Sequence, residues 1–114
     1  MTDKVVVLVT VASLKEARTM ARGLVQSRLA ACVNIVPPVE SIYRWQGKIE
    51  NSRERLLVIK TAREIFSEVG AAIRKLHSYT NPEIICLPIV DGSREYLEWL
   101  ARSVKVAVAV EVEP

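Results

Sequence analysis

Residues 29–61, LAACVNIVPPVESIYRWQGKIENSRERLLVIKT, read as one long β-hairpin. Its arms meet at Trp45-Gln46-Gly47-Lys48. Pro37-Pro38 interrupts the first arm, because neither proline can donate to a sheet ladder. The return arm alternates and then becomes the apolar run Leu56-Leu57-Val58-Ile59. Arms of this length either pair with another chain or stand exposed as an aggregation hazard. With 114 residues, read as a single domain spanning 1–114, the chain has too little other structure to hide them.

The rest of the chain supplies the frame. Residues 5–11 are almost all β-branched, which predicts a central strand buried on both faces. Ser13 stands three residues before Glu16, the spacing of a capping box, and opens a helix running to about Arg28. Thr61 and Glu64 repeat that spacing before a second amphipathic helix that ends near His77. Residues 83–90 form another apolar strand, in which Pro88 points to an edge or a bulge. Ser93 caps a short third helix, and the alternating valines of residues 104–112 predict a last strand. The order β-α-β-β-α-β, then α-β, predicts a mixed α/β (α+β) fold of the split βαβ type, with 4–36 and 48–90 as a loose internal repeat. Right-handed crossovers place both long helices on one sheet face, so the other needs cover from another subunit.

Composition narrows the functional classes. The net charge is +3, and Lys15, Arg18, Arg22 and Arg28 cluster modestly on the first helix without forming a basic run. This pattern gives no footing for a nucleic-acid tail or a polybasic membrane patch. No apolar stretch reaches membrane-spanning length. The cysteines, Cys32 and Cys86, both lie in apolar β-like runs, which argues against a disulfide framework and for a reducing compartment. The N-terminal apolar run is short and β-rich, a first strand rather than a signal peptide, so the expected location is cytoplasmic. Ser13, Ser41, Ser78 and Ser93 each have a cap or turn explanation, and one histidine without a glycine elbow gives no hydrolytic triad. Four glycines form no phosphate loop. The expectation is a non-enzyme.

Several motifs carry a family likeness: Leu29-Ala30-Ala31-Cys32-Val33-Asn34, Ser41-Ile42-Tyr43-Arg44-Trp45-Gln46-Gly47-Lys48-Ile49-Glu50, Ile59-Lys60-Thr61, Tyr79-x-x-Pro82-Glu83 and Tyr96-Leu97-x-Trp99-Leu100. In this order and spacing the chain resembles the CutA divalent-ion tolerance family over nearly its whole length. The resemblance implies a ferredoxin-like subunit in a tight homotrimer similar to those of the PII signalling proteins, with extended strands pairing between subunits. It also implies a role in tolerance of divalent cations, copper above all.

Two sets of site residues follow. The first is metal-directed. The resemblance places a metal-associated cysteine at Cys32, and thiolates favour soft ions such as Cu(I). The competing reading is a small core or interface residue. His77, the only histidine, is an imidazole suited to copper or zinc or, alternatively, a helix-end residue favoured by the dipole. Family members can carry adjacent histidines here; His77-Ser78-Tyr79 does not, so any copper or other divalent ion is expected to be held weakly. The second set is a cleft of Trp45, Lys60, Tyr79, Glu83 and Trp99 at family motif positions. Lys60 and Glu83, at adjacent strand ends, would hold a small molecule or pair with each other at a subunit seam. Tyr43 and Trp45 are expected at that interface. The alternative function is a trimeric signalling or scaffold module that takes a small-molecule or protein partner at subunit clefts.

Overall fold

The valine-rich segment after Asp3 becomes the strand around which the sheet is built. The computed structural model describes residues 2–106. Its elements are β1 (Lys4–Val11), α1 (Leu14–Gln26), β2 (Cys32–Trp45), β3 (Lys48–Ala62), α2 (Phe66–Leu76), β4 (Ile85–Pro88) and α3 (Arg94–Ser103). The strands pair antiparallel in the order β2-β3-β1-β4, the layout of a split βαβ unit. Pro88 does lie in the edge strand β4, where a missing donor is tolerated.

Alternation along β1 sorts its side chains. Val5, Val7, Val9 and Val11 are buried together with Leu57 and Ile59 of β3, Ala17, Met20 and Leu24 of α1, and Val69 and Ile73 of α2. Val6, Leu8 and Thr10 point the other way and are only half-buried. The expectation of a strand buried on both faces is therefore corrected for the single subunit. The helices cover one face. In register on the other lie half-buried Val36, Leu56 and Val58 and exposed Ile85 and Leu87.

The hairpin pairs from Cys32↔Lys60 to Trp45↔Lys48, with a slip in register between Val36 and Val39 where the two prolines sit. Gln46 (φ 48°) and Gly47 (φ 78°) are both left-handed, as a type I′ turn requires. β1 stops pairing at Val11↔Arg55, so the outer arm runs on past the helix-backed sheet. Its radius of gyration shows the effect: 15.5 Å, against about 13 Å for a compact chain of this length.

Local bonds revise the helix starts. Ser13 Oγ accepts the Glu16 N–H at 3.1 Å, yet the Glu16 carboxylate turns away to accept from the Ser78 N–H and hydroxyl at 3.0 and 2.9 Å. The second capping box does not form. β3 runs on through Thr61, whose buried hydroxyl donates to the Leu29 carbonyl at 2.7 Å, and a 3-10 turn (Arg63–Ile65) leads into α2 without a side-chain cap. α1 ends at Gln26 rather than Arg28, which takes a left-handed φ of 61°. α3 is capped by Ser93 and sends Leu100 into the core. The Arg28 guanidinium donates to the Arg102 carbonyl at 2.6 Å. Of the expected last strand, Val104–Val106 are not in a strand, and residues 107–112 lie outside the described residues.

Candidate functional site

Where β1 ends, the outer arm of the hairpin and the loop after α2 enclose an open groove of about 840 Å³. Thr10 of β1 lines it, Tyr43 and Trp45 come from β2, Glu54 from β3, and Tyr79 and Glu83 from the loop. The loop is held by His77, whose side chain is wholly buried. Its Nε2–H donates to the Thr10 carbonyl at 2.8 Å, and its Nδ1 accepts the Tyr79 N–H at 3.0 Å. A carbonyl only accepts and an amide N–H only donates, so these partners fix the tautomer. The imidazole also lies against the Tyr79 ring, with centroids 4.7 Å apart.

Tyr79 then reaches into the groove, where its hydroxyl donates to Glu54 Oε2 at 2.8 Å. Burial, aided by this carboxylate acceptor, pushes the Tyr79 pKa well above the usual tyrosine value. Glu54 itself is buried. Sequence reasoning missed it, because it sits in the polar stretch Arg53-Glu54-Arg55. Its even spacing from Leu56 and Val58 was the available signal, since that spacing puts all three on one strand face.

The expected metal residues are not brought together within one subunit. Cys32 is half-buried at the start of β2, opposite Lys60, which in turn pairs with Val6. His77 meets β1 at Thr10, four residues and about 13 Å further along the strand. Both nitrogens of His77 already have partners, so in this conformation neither offers a lone pair to an ion. Cys86 pairs with Val7 on the helix-covered face, and burial pushes its thiol pKa up, away from the thiolate. Among the described residues no group of three or more His, Cys, Asp or Glu is placed to hold a metal ion.

The cleft residues divide likewise. Trp45, Tyr79 and Glu83 line the groove together with Tyr43. Within one subunit Lys60 does not pair with Glu83, because the β3 register sets Lys60 opposite Val6 while Glu83 lies beyond the Leu8↔Ile85 pair. The Lys60 ammonium instead donates to Asn34 Oδ1 on the neighbouring strand. Trp99 lies on α3 against Tyr96, with ring centroids 5.4 Å apart, away from the groove lining.

A family model described as CutA1 divalent ion tolerance protein matches residues 5–103. The chain belongs to the CutA family. The divalent-cation tolerance protein CutA of Thermus thermophilus is 55% identical over 95 residues, which are 83% of this chain and 92% of that protein. The chloroplastic CutA protein of Arabidopsis thaliana is 45% identical over 101 residues, 89% of this chain but 56% of that protein. This chain thus spans only about half the length of its plant relative. A solved structure of the Thermus thermophilus protein has a TM-score of 0.88 at 51% identity, covering 90% of this chain and 99% of that one. The periplasmic divalent cation tolerance protein CutA of Archaeoglobus fulgidus gives 0.87 at 40% identity, with the same coverage of both chains. The family description names tolerance of divalent ions and no reaction. Among the described residues, no helix is long and apolar enough to cross a membrane.

Proposed function

We propose that this CutA chain works as a cytoplasmic homotrimer that binds copper or another divalent metal ion weakly and so contributes to metal-ion tolerance. Cys32 carries the reading: it is a free, half-buried thiol on the sheet face that α1 and α2 leave uncovered. A soft thiolate donor suits copper. Copies meeting on that face would gather donors that no single subunit assembles. Two unpaired cysteines support a reducing compartment. The test is titration of the reduced protein with Cu(I), Cu(II) and Zn(II), comparing Cys32→Ala and His77→Ala. Binding is expected to fall in Cys32→Ala and to persist in His77→Ala. Unchanged affinity and stoichiometry in Cys32→Ala would remove the thiol from the site.

The second reading, a trimeric signalling or scaffold module with a small-molecule or protein partner, is favoured by the groove at Glu54. A thermal-shift ligand screen repeated on Glu54→Gln separates it from the metal reading. A ligand whose stabilisation ignores that substitution would argue against the groove.

A further inference from the structure

The groove is acidic in a basic chain. The net charge is +3, yet the lining holds Glu54 and Glu83 and neither Lys nor Arg. Glu54 is only 7% exposed and forms no ion pair among the described residues. The Tyr79 hydroxyl satisfies Oε2, whereas no donor among the described residues reaches Oε1. No fully buried side-chain oxygen among the described residues lacks a partner, so Oε1 is the atom left open to the groove. A carboxylate this buried without a counter-charge is unfavourable, and a cationic occupant would relieve it.

The aromatic residues point to the same chemistry. Tyr43 and Trp45, 42% and 52% exposed, line the outer side of the groove, and the faces of such rings attract ammonium and guanidinium groups. Among the described residues, a metal ion would find no third acidic, histidine or cysteine ligand beside the two carboxylates. An organic cation can use one carboxylate oxygen and the rings together. We propose that this groove binds a small organic cation carrying N–H donors, an alkylammonium or alkylguanidinium, with its head at Glu54 Oε1 and its stem along Tyr43 and Trp45. The proposal rests on the second reading above and names its ligand class.

Calorimetric titration of the assembled protein with agmatine and butylamine, set against neutral butanol and anionic butyrate, tests it. The two cations are expected to bind saturably, and butanol and butyrate are not. Glu54→Gln is expected to weaken the cations on the order of tenfold or more, as loss of a hydrogen bond to a charged group does. Trp45→Ala, at the exposed hairpin tip, is expected to weaken them about threefold and carries the test if Glu54→Gln does not fold. Equal binding of butanol and butylamine, or cation binding indifferent to both substitutions, overturns the cation assignment and leaves the groove as a site for another ligand. Failure of every probe overturns the cation assignment alone, and the small-ligand reading then stands or falls on the thermal-shift screen. Failure of every probe with dissociation of Glu54→Gln in sedimentation also overturns it, since the cation would then be a side chain of a neighbouring copy.

Discussion

The two halves of the hairpin share one hydrogen-bonded ladder and differ in what stands behind it. In the inner half, Leu57 and Ile59 are wholly buried under α1 and α2. In the outer half, Ile42 and Ile49 are 69% and 73% exposed on a ribbon that β1 no longer flanks. A two-stranded ribbon is marginal by itself. The contrast teaches that pairing sets the course of the arm, while burial decides which part of it stabilises the subunit.

The largest expected effect falls on the inner half. Ile59→Ala should cost about 2–5 kcal/mol in urea unfolding, whereas Ile49→Ala should stay within about 0.5 kcal/mol. Equal losses would break the contrast and place Ile49 in a buried seam of the assembly. Ile42→Ser combined with Ile49→Ser should preserve far-ultraviolet circular dichroism and shift sedimentation equilibrium from the proposed trimer toward smaller species. An unmoved trimer would free the arm from any part in assembly.

A smaller effect belongs to the loop between the two regions. His77→Ala removes a wholly buried ring with two backbone partners and should cost about 1–3 kcal/mol, with the loss of Tyr79 order visible in its ring NMR signals. The smallest effect is alkaline. The folded state holds the Tyr79 phenol neutral above its ordinary value near 10. Rising pH therefore deprotonates the unfolded chain first, so this contribution is fully present below that value and is lost as pH rises beyond it. Tyr79→Phe should flatten this decline in a pH-stepped denaturation series, and an unchanged slope would remove Tyr79 as its source.

Local chemistry made much of the frame legible. The β-branched run of β1, the Gln46-Gly47 turn and the Ser13 half of the first capping box each act over a few residues, and all three form. Tertiary contacts altered what the same signals implied elsewhere. Thr61 has the spacing of a cap, but β3 continues through it and Leu29 takes its hydroxyl. Glu16 has a cap partner in sequence and a better one in Ser78. The site suffered most, because strand register is a long-range property. Lys60 and Glu83 both sit near strand ends, yet β1 lies between them and the register offsets them. Glu54 hid among arginines until the fold brought the Tyr79 hydroxyl against it.

The loop that closes the groove depends on partners far away along the chain. Ser78 binds Glu16 across 62 residues, and His77 binds Thr10 across 67. Such closures carry a large entropic penalty until the intervening elements have docked. The groove is thus the last part of the subunit to acquire its shape. The amides of Ser78 and Tyr79 act as its clock: their hydrogen exchange should gain protection only after that of β1 and α1.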